Sequence, residues 1–227
     1  MLKQIILFGL VVASCAGMMC GGPGGPIFVT TPLDQAHAVL IISRLAAGEQ
    51  ALVTARITTR LGNLVHLSGG QEVLVNDQAL LGPNFRGEYT RTIAAADEYV
   101  ITVKEPTRGV EETVVTPPDG FQITSPEEGQ SVSLSGFTVE WSGADPDLDV
   151  EITIRQTLFG EETEELFGPF TDTGSRGLTS ADLSEFRQGA DLTIMVTKML
   201  ELGAINGFRT ARLTTEASRT VSAVPGP

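Results

Sequence analysis

The sequence predicts an all-β protein built as two tandem β-sandwich domains, and three observations carry that expectation. Residues 51–58 (ALVTARIT) alternate strictly, with Val53, Ala55 and Ile57 on one side and Thr54, Arg56 and Thr58 on the other, the period of a half-buried strand. Runs of this kind recur between turn signals such as Leu61-Gly62-Asn63, Ser68-Gly69-Gly70, Asn76-Asp77 and Gly82-Pro83-Asn84. Thr116-Pro117-Pro118-Asp119-Gly120 then divides the chain, because consecutive prolines stop helix and ladder alike and Asp-Gly turns readily. About 200 residues remain after the N-terminal segment, enough for two domains of ordinary size.

The chain opens with Lys3 and an apolar run, residues 5–13 (IILFGLVVA). A bilayer-spanning helix takes about 20 residues, so this shorter run predicts a removable export signal over residues 1–14. It ends in Val12-Ala13-Ser14-Cys15. That segment resembles the lipobox of bacterial lipoproteins, in which a branched apolar residue and two small residues precede a cysteine. The resemblance implies that cleavage falls before Cys15, that Cys15 is diacylated, and that its lipid holds the chain to a membrane. The neutral Ala16 after it implies, on the same resemblance, release to the outer membrane of a bacterial cell envelope. Ser14-Cys15-Ala16 also fits the small-x-small pattern of ordinary signal peptidase, which would leave a secreted chain beginning at Gly17. Cys20 follows Met18 and Met19 rather than small residues and reads as an incidental thiol. Residues 15–26 end in GGPGGP, the composition of a flexible tether.

No cysteine follows position 20, so neither domain can hold an internal disulfide, although exported proteins often do. Unfolding is therefore expected to be insensitive to reductant. The formal net charge is −13, and it is uneven: residues 27–116 carry 7 basic and 10 acidic side chains, residues 117–227 carry 7 and 18. So acidic a surface repels phosphate backbones and anionic head groups, which excludes nucleic acid as a partner and a basic patch as the means of membrane attachment.

In the first domain, residues 27–116, strands are expected at 39–42, 51–58, 64–67, 72–75, 89–93, 99–103 and 113–116. Residues 34–47 compete as a helix, but their Val39-Leu40-Ile41-Ile42 centre favours a strand. Asp97-Glu98-Tyr99-Val100-Ile101-Thr102-Val103 is similar to the tyrosine corner of immunoglobulin-like domains. The resemblance implies a structural role for Tyr99, with Ile101 where a core cysteine often stands. A buried tyrosine on any strand remains the other reading.

The second domain, residues 117–227, opens with Phe121-x-Ile123. Gly136-Phe137-Thr138-Val139-Glu140-Trp141 follows, with Phe137, Val139 and the chain's one tryptophan alternating inward. Residues 150–155, 189–196 and 209–215 repeat the alternation. This order resembles a fibronectin type III or related immunoglobulin-like module over residues 121–216, which implies a core role for Trp141. Leu192 departs from the family, where a tyrosine is usual. Residues 178–186 predict a short helical turn, with Thr179 and Asp182 at capping-box spacing.

Chemistry is sparse. His37 and His66 have no acid or cysteine at ligand spacing, and no HExxH, CxxC, Gly-x-Ser-x-Gly or phosphate-loop motif occurs. Asp172-Thr173-Gly174-Ser175 spells the aspartic-protease tetrapeptide, but that chemistry needs a second carboxylate from a second copy, which the chain lacks. Asp145, Asp147 and Asp149 alternate on one loop and could converge on calcium as a weak site, or simply stay solvated. Residues 161–165 (EETEE) read as a solvated hairpin tip. No enzyme and no cofactor beyond that calcium is expected. The expectation is a lipid-anchored binding or spacer module with an unidentified protein partner; the alternative is an accessory of envelope secretion, assembly or polysaccharide handling. A cut within residues 116–120 would release two folded pieces if the domains are independent.

Overall fold

The computed structural model describes residues 27–44 and 49–226. The export signal, the lipidation candidate Cys15 and the Gly/Pro tether lie outside the described residues. Among the described residues the protein is all-β, with one 3-10 turn at Leu33–Gln35 and no α-helix. The N-terminal half holds β1 (Phe28–Val29), β2 (His37–Arg44), β3 (Gln50–Thr58), β4 (Leu64–Val65), β5 (Glu72–Val75), β6 (Gln78–Ala79), β7 (Glu88–Ala94), β8 (Tyr99–Glu105) and β9 (Gly109–Val115). The C-terminal half holds β10 (Ile123–Ser125), β11 (Gln130–Ser133), β12 (Gly136–Trp141), β13 (Asp149–Leu158), β14 (Glu161–Thr171), β15 (Ser175–Thr179), β16 (Leu192–Leu202) and β17 (Thr210–Gly226).

A ten-stranded sheet runs through both halves, in the order β1-β4-β3-β2-β17-β16-β13-β14, with β7 beside β3 and β11 beside β17. The sheet β6-β5-β8-β9 packs on its N-terminal part and the sheet β10-β12-β15 on its C-terminal part, a sandwich-like arrangement with two apolar cores. The expected alternation is realised. Ala38, Leu40 and Ile42 of β2 and Ala51, Val53, Ala55 and Ile57 of β3 face the first core; Val139 and Trp141 of β12 and Val150, Ile152 and Ile154 of β13 face the second.

What joins the halves is the C-terminal hairpin. β17 is 17 residues long, and its first eight, Thr210 to Ala217, pair in parallel with β2 from His37 to Arg44. Its inward face gives Ala211 and Leu213 to the first core and Ala217, Val221 and Ala223 to the second. β16 repeats this: Leu192, Ile194 and Val196 belong to the second core, whereas Leu200 and Leu202 pack on the first. The loop between the two strands reaches further. Ile205 is buried in the first core, Asn206 N–H donates to Thr113 Oγ1 at 2.8 Å, and Asn206 Nδ2 donates to the Glu112 carbonyl at 2.7 Å, both on β9. Pro117 and Pro118 are buried rather than strung out as an exposed linker. Pro117 thus marks a change of core, but the run 27–116 does not close its own core.

Three local expectations change. Residues 161–165 are not a hairpin tip; they begin strand β14, and the turn is Phe159-Gly160, both at positive φ (53° and 84°), a conformation suited to two-residue hairpins. Cross-strand charge makes the acidic run tolerable there, since Arg155 opposite Glu164 pairs with it and with Glu162. The strand expected at 189–196 begins at Leu192 and continues to Leu202. Of residues 178–186, the first two end β15 and 180–185 form turns without a helix, although Thr179 N–H and Oγ1 both donate to Asp182 Oδ2 at 2.8 Å, as the capping-box spacing implied.

Candidate functional site

Along the inward face of β16 the alternation Leu192, Ile194, Val196 is broken by Lys198 and resumes with Leu200. Lys198 lies where the two cores meet and is 1% exposed, and its Nζ is 2.8 Å from Oδ2 of Asp172, itself 2% exposed. A buried ammonium has to find acceptors for all its N–H bonds. Lys198 does so with Asp172 and the carbonyls of Ser142 and Gly143, and the Phe121 ring lies 5.0 Å from the nitrogen. Asp172 Oδ1 accepts from Trp141 Nε1 at 2.7 Å and from the Gly174 N–H at 3.0 Å. Burial by itself raises the Asp172 carboxyl; Lys198, Trp141 and the Gly174 N–H outweigh it and hold the group below its ordinary value. The aspartic-protease tetrapeptide is therefore a turn whose carboxylate is withdrawn from solvent, Oδ1 accepting two hydrogen bonds and Oδ2 standing in the ion pair with Lys198. Arg219 donates to the Phe121 carbonyl at 3.0 Å and its guanidinium lies 5.9 Å from the Phe121 ring, so the residue leading out of the proline pair meets two cations.

The sequence-derived candidates fall apart from this network, with two exceptions, Asp172 itself and Trp141. Trp141 belongs to it, as the donor that orients Asp172. Tyr99, fully buried at the start of β8, accepts from the Ala96 N–H at 3.3 Å through its hydroxyl, and Ile101 faces the same core. Asp145, Asp147 and Asp149 are exposed; Asp145 Oδ1 accepts from the Asp147 N–H at 3.0 Å, which turns the loop, while Leu148 is buried beneath it. Among the described residues no group of three or more His, Cys, Asp or Glu side chains is arranged to hold a metal ion. His37 Nδ1 is hydrogen-bonded to Thr210 Oγ1 across the seam, and His66 packs edge-on against Phe28 with ring centroids 6.3 Å apart.

On the opposite, outward face of the same seam lies a small cleft. Val39 and Ile41 of β2, Met199 of β16 and Pro169 of β14 give it an apolar floor; Asp149, Glu151, Glu201 and Glu216 rim it, and Arg212, paired with Glu201, is the one cation lining it among the described residues. A bulge in β14 helps form it, because Val150 pairs with Phe170 and Ile152 with Phe167, leaving Gly168 and Pro169 opposite Glu151. The cleft holds about 100 Å³, well below the several hundred Å³ of a cofactor pocket and enough for one long side chain. Burial pushes the Glu216 carboxyl above its ordinary value, opposed in part by the Ser43 hydroxyl that donates to it at 2.9 Å. Burial, and then the charges of Glu216 and Asp149, push Glu151 up as well. Carboxylates held this close, with few cations beside them, favour a positively charged group between them.

Lys198 and Glu216 escaped the sequence reading, and only Lys198 had a signal, a charge at an inward position of a strand whose alternation is otherwise regular. Glu216 takes an outward position between inward Thr215 and Ala217, where a charge is ordinary. Tyr89 escaped too: its hydroxyl accepts from the Leu67 N–H at 2.8 Å and donates to the Val65 carbonyl at 3.0 Å, tying β4 to β7. No protein-family model matches the chain, and no curated protein is similar to it at a significant level.

Proposed function

We propose that this protein is a non-enzymatic, lipid-anchored cell-envelope module in which two immunoglobulin-like sandwiches are fused into one stiff body that presents a binding surface at a fixed distance from the membrane. The observation that carries this is the β16–β17 hairpin, shared by both cores. At about 3.3 Å per residue, the 17 residues of β17 form a splint roughly 55 Å long. Strand order supports the family resemblance in both halves. β2, β3 and β7 oppose β6, β5, β8 and β9, and β10, β12 and β15 oppose β14, β13, β16 and β17, the A-B-E against C′-C-F-G order of immunoglobulin-like modules. Tyr99 at the start of β8, bonded back to Ala96, fits a tyrosine corner.

The seam cleft is the recognition surface that fits this reading best, taking a Lys or Arg side chain of a partner by charge complementarity over an apolar floor. A spacer needs stiffness and a binder needs a surface; the shared hairpin supplies the first and places the second at the join. The test is a protease site introduced at the exposed Asp119-Gly120. The nicked halves are expected to co-elute and to unfold in one transition, because Ile205, Ala211 and Leu213 stay inserted in the first core. Separation of the halves under native conditions would refute the stiff-body reading.

A further inference from the structure

The two ends of the body differ, and the difference points to the membrane. At the end of the body away from the second core, three segments meet around Leu64: it pairs with Thr58 of β3 and with Phe28 of β1, and a Cβ added at Gly87 would overlap its side chain. These contacts gather the start of the described chain at Ile27, the turn over residues 59–63 and the loop over residues 84–88. Each offers a large apolar side chain to solvent: Ile27 is 71% exposed, Leu61 87% and Phe85 82%. Single exposed apolar residues are ordinary, but three on adjoining tips at one pole are not.

The tips are also built to hold their shape. Asn84 Oδ1 accepts from the N–H of Arg86 at 2.8 Å and of Glu88 at 3.0 Å, and the Asn84 carbonyl accepts from Gly87 at 2.9 Å, which fixes Phe85 outward. In the other turn Thr59 N–H donates to the Asn63 carbonyl at 2.8 Å and Gly62 N–H to the Thr59 carbonyl at 2.9 Å, with Leu61 at the apex. Arg60 and Arg86, both exposed, flank the apolar tips, and the Arg86 guanidinium lies 5.4 Å over the Phe85 ring. Apolar tips with adjoining arginines suit the boundary between acyl chains and phosphate head groups.

We infer that this pole docks on a lipid bilayer, Leu61 and Phe85 entering the acyl boundary and Arg60 and Arg86 meeting the head groups. Chain length argues for this occupant. Ile27 lies 12 positions after Cys15, and a Gly-rich tether of that length has a root-mean-square reach of roughly 20 Å. The inference rests on acylation of Cys15, which would keep this pole, and no other, within that distance of the membrane. Charge argues the same way: residues 117–227, with 18 acidic and 7 basic side chains, are repelled from an anionic surface and would point outward.

Tryptophan quenching tests it. The full chain, purified from membranes, is reconstituted in phosphatidylcholine vesicles with brominated acyl chains, as wild type and as Phe85→Trp and Leu61→Trp. Trp141, the chain's one native tryptophan and 4% exposed in the C-terminal half, serves as the unquenched reference. Emission from each introduced indole is expected to shift to shorter wavelength and to be quenched by the brominated chains, while that of Trp141 is not. Indoles that stay unshifted and unquenched would overturn the inference. The mass of the N-terminal peptide separates it from its premise. Lipid on Cys15 with unquenched indoles leaves the tether standing and removes the docking; an unmodified Cys15 with quenched indoles leaves the docking standing without the tether. A Leu61→Asp/Phe85→Asp variant that converts a dimer to a monomer in sedimentation, with no vesicle effect, would assign the pole to self-association and overturn the docking.

Discussion

Lys198→Met should be among the most damaging single changes in the C-terminal half, although methionine is close in size and more apolar. Lys198 and Asp172 are 2.8 Å apart and both are withdrawn from water. Two unit charges at that distance attract by about 6 kcal/mol at an effective dielectric of about 20. Removing the lysine leaves a buried carboxylate with only the Trp141 and Gly174 donors, and the expected loss is about 3–5 kcal/mol. For a chain of this size that lowers Tm by roughly 6–20 °C, read by calorimetry at pH 7. Asp172→Asn should also destabilise, by stranding the ammonium, and the double variant should lose at least about 2 kcal/mol less than the sum of the singles. The sign with pH is fixed by the lowered Asp172 carboxyl. Its contribution is complete above the ordinary aspartate value of about 3.9 and is lost as pH falls through the lower folded value, so the gap between wild type and Lys198→Met closes in acid. A Lys198→Met protein within about 1 kcal/mol of wild type at pH 7, or a strictly additive double variant, would refute the account of Lys198 as the polar pin of the seam.

The hairpin tip gives a second prediction. A Cβ at Gly207 would stand 2.8 Å from Val103 Cγ1 with φ at +92°, so Gly207→Ala should cost about 2–4 kcal/mol, whereas Gly203→Ala, with nothing within 4 Å, should be near neutral in the same denaturant titration. Glu216→Gln should raise Tm at pH 7. Because burial raises the Glu216 carboxyl, wild-type stability falls as pH rises from the ordinary glutamate value of about 4.3 through the higher folded one; glutamine keeps an acceptor for Ser43, and the two proteins should melt together below about pH 4. Tyr99→Phe should cost about 1 kcal/mol in chemical unfolding, the worth of the bond its hydroxyl makes with the Ala96 N–H.

The sequence by itself determined the class of the elements and most of their places. Period-two alternation marked β3, β12 and β13 because a strand with one buried face must alternate, and the turn dipeptides separated them. The absence of cysteine after position 20 likewise decided that the described strands hold together without a disulfide among them. Only the tertiary structure decided which core each strand serves. β17 reads as one alternating run, and nothing local says that Leu213 enters the first core while Val221 enters the second. That depends on its parallel pairing with β2, more than 170 positions earlier, and long-range pairing leaves no periodic trace in either strand. For the same reason nothing local shows what the inward Lys198 meets: its partner Asp172 and the carbonyls that receive it come from turns that only the folded sheet brings together.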